Sequence, residues 1–220
     1  MASLDRLTRH PERGSDDRDD LFALLDAQWF GTLSTVTADG QPWAVPMLYA
    51  RDGERILIHG STGAGALRAV AEGAPAVFSV MSVQALVVGH TTFESSVNYR
   101  SATIRGHLRR ATEQEQAQAL DTLSDAVIPG RTAEVRPMNR KELAATSACV
   151  LDIVDGDWLY KTRTGWPSDA TASNSGEHPS WAGIVPVQTT YGQPEPAPWV
   201  RASQVPVPAS VRRLGQTPTT

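Results

Sequence analysis

Arg55-Ile-Leu-Ile-His-Gly-Ser-Thr-Gly-Ala-Gly-Ala-Leu-Arg68 is the stretch around which the chain is organised. Its apolar residues 56–58 predict a buried strand that ends at His59, and a helix is expected over Gly63–Glu72. A strand that delivers a small polar turn to a helix N-terminus makes an anion site, because the first backbone N–H groups point outward unpaired. An ordinary strand–helix turn fits the same residues, which lack the order of a dinucleotide fingerprint or a P-loop.

The turn itself is made of small and hydroxylic residues. Gly60 and Gly63 let the backbone approach a ligand closely, while Ser61 and Thr62 add hydroxyl donors. His59 stands at the end of the strand, where a side chain can face a cleft. These residues are the candidate site, and a histidine satisfied by a neighbouring carbonyl is the alternative for His59.

The segments on both sides of this turn alternate apolar and polar residues, which is typical of strands. Strands are predicted at Phe30–Thr37, Trp43–Ala50, Pro75–Val83, Leu86–His90, Ser95–Arg109, Val150–Val154, Trp158–Thr164 and Trp181–Val187. Helices are predicted at Asp16–Gln28, Thr112–Ile128 and after Asn139. Because hairpins make most connections, the pattern predicts a mainly β fold with peripheral helices, an antiparallel closed or split β-barrel rather than a doubly wound sheet.

Composition excludes several classes of function. The 220 residues carry a formal net charge of −4, which argues against a nucleic-acid partner or an anionic membrane surface. Cys149 is the single cysteine, so an intramolecular disulfide is impossible. No apolar run approaches the roughly 18 residues of a membrane span. A cytoplasmic protein without membrane association is therefore expected.

The chain divides into three parts by composition. Residues 1–15 form a polar N-terminal segment, residues 16–190 the barrel domain, and residues 191–220 a Pro-rich tail. Within the tail, residues 203–220 are expected to be loose. Gly106 is expected to bend the long strand that contains it.

Four ordered motifs resemble one known family. They are G-T-L-S-T-V from Gly31, D-G-Q-P-W-A-V-P-M-L-Y-A from Asp39, L-I-H-G-S from Leu57 and S-S-V-N-Y-R-S-A-T-I-R-G from Ser95. The set resembles the pyridoxamine phosphate oxidase-like split-barrel flavoproteins, which share the FMN-binding-protein-like fold, and is most similar to the branch of the Nim-type nitroimidazole reductases. The resemblance spans roughly residues 12 to 190.

The resemblance implies a homodimer with two FMN sites at the subunit interface. Val45, Pro46 and Met47 would lie along the flavin ring, and the turn from His59 to Gly65 would receive the ribityl phosphate. Tyr99 and Arg100 would lie near the cofactor or the dimer contact.

One departure from the family pattern bears on the cofactor. Family members often carry Arg or Lys where this chain has Gly63-Ala64-Gly65. A phosphate of about −1.5 to −2 charges is normally met by such a base, because charge-assisted hydrogen bonds are the stronger ones. The remaining donors would be Ser61, Thr62, the helix N-terminus and Arg68.

Three functions follow from these residues. The first is an FMN-dependent oxidoreductase that reduces a small organic acceptor, with a nitro compound as a candidate and His59 as the polar group at the reacting edge. The second is a haem b protein on the same scaffold, with His59 as axial ligand. The third is a non-catalytic dimer that binds a ligand without turnover.

Overall fold

The computed structural model describes residues 7–37, 39–63, 67, 70–168 and 180–215. Its strands are β1 Gly14–Ser15, β2 Phe30–Val36, β3 Pro42–Asp52, β4 Arg55–Ser61, β5 Glu72–Val88, β6 Ser96–Arg110, β7 Thr146–Asp152, β8 Trp158–Arg163 and β9 Gly183–Pro186. Its helices are α1 Arg18–Ala27, α2 Glu113–Val127, α3 Arg140–Ala145, α4 Pro198–Ser203 and α5 Ala209–Leu214. None of the described helices is long and apolar enough to cross a membrane.

The strands form one antiparallel sheet that closes on itself. Its order is β1-β8-β6-β7-β4-β3-β2-β5-β9, and an additional pairing of β5 with β6 completes a barrel of β2, β3, β4, β7, β6 and β5. β8 extends the sheet beside β6, and β9 pairs with the far end of β5. The predicted mainly β fold of split-barrel type is confirmed.

The two longest strands build most of this architecture. β5 is a single strand with a register shift between Val83 and Ala85, so the prediction of two separate strands at Pro75–Val83 and Leu86–His90 was wrong. β6 pairs with β8 as far as Ile104 and with β7 from Arg109 onward. Gly106 lies at this change of partner, and a Cβ atom there would meet Leu151 Cδ1 at 2.9 Å.

The interior of the barrel is filled by aliphatic and aromatic side chains. Tyr49 is fully buried, stacks edge-to-face on Phe78 with ring centroids 5.1 Å apart, and donates its hydroxyl hydrogen bond to the Leu25 carbonyl at 2.8 Å. Burial raises the pKa of the Tyr49 phenol, which stays a neutral donor. This bond ties the end of α1 to the wall of the barrel.

A second, smaller cluster packs α2 on the opposite side of the β3–β4–β7 wall. It joins Leu120 and Leu123 of α2 to Leu57 of β4 and to neighbouring residues of β7. α2 begins at the predicted position, where Thr112 and Glu115 form a reciprocal capping box. Hydrogen bonds from Arg109 and from the Thr112 backbone lower the pKa of Glu115 to about 2, so this cap stays charged.

The end of the chain folds back onto the loop that follows α2. Ser210, at the start of α5, is fully buried. Its backbone N–H and hydroxyl donate to the Glu134 carboxylate at 2.9 and 2.5 Å. The prediction of a loose segment over 203–220 is therefore wrong for residues 209–214. It rested on composition, and composition does not reveal that the distant Glu134 carboxylate accepts hydrogen bonds from the start of this helix.

Candidate functional site

β3 and β4 separate at one point of the barrel wall. They pair from Asp52↔Arg55 to Tyr49↔Ile58, and the pairing stops there. Beyond it, residues 42–48 pair only with β2, while β4 continues on β7 as far as Ser61↔Thr146. Leu48 and His59 are the first residues past the separation, which we call the fork.

The fork opens a pocket of about 360 Å³ beneath α2. Its lining is dominated by apolar side chains, with His59, Ser124, Thr146 and Arg131 as the polar members and Leu48, Leu120, Leu123, Val127, Ile128 and Met138 as the rest. This volume falls in the range of ligand pockets, about 300–1,000 Å³. We call it the fork pocket.

Two of its polar side chains are already satisfied within the chain. The Ser124 hydroxyl donates to the Leu120 carbonyl at 2.9 Å, and the Thr146 hydroxyl donates to the Glu142 carbonyl at 3.1 Å. Nδ1 of His59 is different, since it is buried and has no hydrogen-bond partner among the described residues. A buried polar atom without a partner costs free energy, so a ligand atom that satisfies it would bind favourably here.

Gly60, the first residue after His59, belongs to the other face of β4. Side chains alternate along a strand, so Leu57 and His59 face α2 while Ile58 and Gly60 face the barrel interior. A Cβ atom on Gly60 would meet Leu67 Cδ2 at 2.4 Å, and Leu67 belongs to the interior core. Ser61 and Thr62 then border a pocket of only about 10 Å³ together with Leu67, Arg110 and Ser147, which is room for about one water molecule. We call it the turn pocket.

Arg110 supplies the base that the turn itself lacks. It pairs with Cys149 on β7, Ser147 pairs with Gly60 on β4, and directly opposite residues of an antiparallel pair point to the same side. The turn pocket therefore combines one guanidinium with the hydroxyls of Ser61, Thr62 and Ser147. Gly63 donates its N–H to the Ser61 hydroxyl at 3.2 Å, which shapes the turn.

The residues expected along a flavin ring lie on the free half of β3. Val45 and Met47 pack their side chains against the interior core, whereas Pro46 is exposed and pairs with Thr32. Within the described residues no strand covers the other edge of this half of β3, so its backbone is open to a ligand. Pro46 has no backbone N–H to donate, which suits a position on this edge.

Tyr99 and Arg100 are not brought to either pocket of this chain. They pair with β5 and with Arg163 and Thr162 of β8, whereas the turn pocket uses the other end of β6. The separation from Arg100 to Arg110 is roughly 30 Å along the strand. Nε of Arg100 is buried without a hydrogen-bond partner among the described residues.

Several predicted positions fall outside the description. Arg68, Ala64 and Gly65 are among the residues that the structure does not describe, and so is most of the helix expected over Gly63–Glu72. The residues that the sequence reasoning missed are Arg110, Ser147, Arg131 and Met138. Arg110 directly follows the long strand predicted over Ser95–Arg109, but the sequence gives no register between distant strands that would place it beside the turn.

Known proteins place this architecture in a family. The family model described as pyridoxamine 5′-phosphate oxidase matches residues 17–157. No curated protein matches the sequence. In the described residues, no group of three histidine, cysteine or carboxylate side chains could hold a metal ion.

Solved structures with the same fold include three informative relatives. The FAD and heme binding protein from Mycobacterium smegmatis is 45% identical, with a TM-score of 0.85, and the match covers 92% of this chain and 97% of that chain. The flavocytochrome Anf3 from Azotobacter vinelandii is 27% identical, with a TM-score of 0.84 and 94% of each chain covered. A 5-nitroimidazole antibiotic resistance protein from Bacteroides thetaiotaomicron shares the fold at 16% identity, a TM-score of 0.56, and 67% and 85% coverage.

Proposed function

Since this chain belongs to the pyridoxamine 5′-phosphate oxidase family, we propose that it is a flavin-dependent oxidoreductase that also binds haem. The observation that carries the proposal is Nδ1 of His59, buried without a described partner in an apolar pocket. Two relatives support the pairing of cofactors, because one is named for FAD and heme binding and the other as a flavocytochrome.

The fork pocket fits the haem half of the proposal. A porphyrin is a large apolar ring whose iron needs a protein ligand, and an imidazole inside an apolar cavity would meet both needs. His59 would be the axial ligand. Leu120 and Leu123 would pack on the ring and exclude water, since both are almost fully buried.

The turn pocket offers polar groups for the flavin half. FMN and FAD share the phosphate next to the ribityl chain, and Arg110 with the Ser61 and Ser147 hydroxyls would meet it at the mouth of this pocket, whose volume of about 10 Å³ holds no more than about one water molecule. The Thr62 hydroxyl already donates to the Ala145 carbonyl at 3.2 Å. Val45, Pro46 and Met47 would line the ring through the open backbone edge of β3. The sequence alone indicated FMN, and the name of the Mycobacterium smegmatis relative adds FAD as a candidate.

The chain's own residues would bind and orient the cofactors. When bound, flavin and haem supply the two-electron and one-electron chemistry of the protein. Arg110 and the turn hydroxyls hold the phosphate end, the free edge of β3 sets the ring orientation, and His59 holds the haem end. The acceptor would be a small organic molecule, with a nitro compound as a candidate.

A homodimer would complete this arrangement. The outer faces of the strands leave Phe30 51%, Met81 63% and Leu86 47% exposed, which is a high exposure for large apolar side chains. Tyr99 and Arg100 lie too far from this chain's pockets to serve them, and they would instead lie at the contact or serve the partner's cofactor. Light scattering of the purified protein measures the mass that tests this dimer.

The absorption spectrum of the purified protein tests the proposed function. Flavin bands together with a sharp Soret band, restored by added FAD or FMN and haemin, are the expected result. A reduced flavin that passes no electrons to any acceptor would leave a non-catalytic binding dimer. A protein that takes up neither cofactor would contradict the proposal.

A further inference from the structure

Arg131 is the one charged side chain among the residues lining the fork pocket. It follows α2 in the loop that closes one end of the pocket, and its side chain is 37% exposed. The rest of the lining is apolar or has its hydroxyls bonded within the chain. A ligand in this pocket therefore meets two groups able to bind its polar atoms, His59 inside and Arg131 at the rim.

The loop that carries Arg131 is held from both sides. The Thr132 backbone N–H and hydroxyl donate to the Asp125 carboxylate of α2 at 2.9 and 2.7 Å. Backbone hydrogen bonds of 3.0 Å link Arg131 N–H to Ile128 and Glu134 N–H to the Arg131 carbonyl. The position of Arg131 at the rim is thus built into the fold.

A carboxylate held by the C-terminal segment orients the guanidinium. Glu134 lies 3.5 Å from Arg131 Nη1, and this same carboxylate accepts the two hydrogen bonds of Ser210. Those bonds use much of its capacity as an acceptor, and within the described residues Glu134 is the ionic partner recorded for Arg131. The guanidinium keeps N–H donors for a further anion, since it has five in a fixed fork.

We propose that Arg131 binds a carboxylate of the ligand in the fork pocket, and that Glu134 and Ser210 position it for that contact. The site thereby selects an apolar molecule that carries an acidic group at its edge. If the proposed function holds, on which this identification of the ligand rests, that group is a propionate of haem. Bidentate geometry between guanidinium and carboxylate makes arginine suited to the contact.

The test compares haemin with its dimethyl ester, in which both carboxylates are blocked. Spectral titration of the full chain should show that Arg131→Gln weakens haemin binding about tenfold, the worth of one charge-assisted contact. The same change should leave binding of the dimethyl ester unaltered, and Arg131→Lys should recover part of the loss. Arg136→Gln is the matched control, because Arg136 pairs with Glu142 and lies outside the pocket lining.

The positioning role has its own readout. Glu134→Gln should weaken haemin binding by less than Arg131→Gln, and it should have no further effect in the Arg131→Gln background. Additive losses in the double variant would show that Glu134 acts independently and would overturn its positioning role.

The outcomes separate this inference from the proposed function. If haemin binds in a His59-dependent way and Arg131→Gln changes nothing, the inference is overturned while the function stands. If the wild type binds no haemin, the haem half of the proposed function is wrong. The inference about Arg131 is then tested by measuring the binding of the anionic dye anilinonaphthalene sulfonate and of its uncharged analogue N-phenylnaphthylamine. Loss of the anionic dye alone in Arg131→Gln supports an anion contact, and equal binding of both dyes overturns it.

Discussion

The two faces of β4 end in different chemistry within a few residues. The face toward α2 ends at His59 in an apolar pocket of about 360 Å³. The interior face ends at Gly60, opposite Ser147, and Arg110, Ser61 and Thr62 border the small turn pocket beyond it. One strand end thus offers an apolar cavity lined by an imidazole and, beside it, a group of polar side chains with one positive charge.

The difference between the two faces shows how β4 can contribute to two ligand sites. Alternation of side chains sends neighbouring residues to opposite faces. The fork between β3 and β4 then opens the α2-facing side, while β7 and β6 bring Ser147 and Arg110 to the other side. Substitutions on one face of β4 should therefore affect one ligand and leave the other unchanged.

His59→Ala should have the largest effect, and on one cofactor only. We expect haemin affinity to fall by at least about a hundredfold, because even the outer partners of metal ligands cost about 10- to 100-fold when they are lost. Flavin affinity should stay as in the wild type. Titration of the Soret and flavin bands measures both.

The matched control for this change is His107→Ala. His107 is an exposed histidine on β6 and does not line the fork pocket. Its replacement should leave both titrations unchanged. If the His59→Ala variant still binds haem, His59 is not the haem ligand and the fork pocket is not the haem site.

Arg110→Gln should produce the next largest effect, on the opposite face. We expect FMN affinity to fall about tenfold, since a charge-assisted contact to phosphate is lost. Riboflavin, which lacks the phosphate, should bind the variant and the wild type equally well. Calorimetric titration with the two ligands isolates the phosphate contact, and equal losses for both would show that Arg110 acts on the fold instead.

Gly60→Ala should have a smaller effect on stability. The new methyl group would meet Leu67 Cδ2 at 2.4 Å, and the flexible end of Leu67 has to move away. We expect the free energy of unfolding to fall by about 1 kcal/mol, at the lower end of overpacking costs. Urea denaturation measures this, with Gly192→Ala, which has open space around it, as the control.

Much of the barrel could be predicted from the sequence, because alternation and turn residues act locally. Phe30–Thr37 was predicted as a strand, and the burial of Phe30 to Val36 alternates strictly in β2; the capping boxes at Thr112 and Asn139 mark their helices from a few neighbouring residues. His59, Ser61 and Thr62 were singled out as candidates from the sequence, since they follow an apolar strand in a small polar turn.

The separation of these candidate residues between the fork pocket and the turn pocket could not be predicted. It depends on where β3 leaves β4, and on the pairing of β6 with β7, which brings in Arg110 from a distant part of the chain. Ser210 was missed for a similar reason, because its partner Glu134 contacts it only after the chain has folded back. Arg131 lies only three residues from Glu134, but its place at the fork pocket depends on how α2 packs over β4.

Acidification should produce the smallest effect, at the C-terminal segment. Hydrogen bonds from Ser210 hold the pKa of Glu134 below its ordinary value of 4.5. A depressed carboxyl pKa stabilises the docked segment at higher pH, and that contribution is lost as the pH falls through the folded value. The amide protection factors of residues 209–214, which correct for the pH dependence of intrinsic exchange, should therefore fall below about pH 4.5. In the Glu134→Gln variant, the protection of these amides should no longer change with pH in this range. If the variant keeps the pH profile of the wild type, protonation of Glu134 does not cause the loss of protection.

The stoichiometry of bound cofactors tests whether the two faces of β4 hold separate sites for haem and flavin. The protein is saturated with haemin and flavin together, and each is then quantified per chain after denaturation. Two separate sites on the two faces of β4 predict one haem and one flavin bound at the same time. Displacement of one cofactor by the other, with their sum fixed at one per chain, would contradict the account and leave a single shared site.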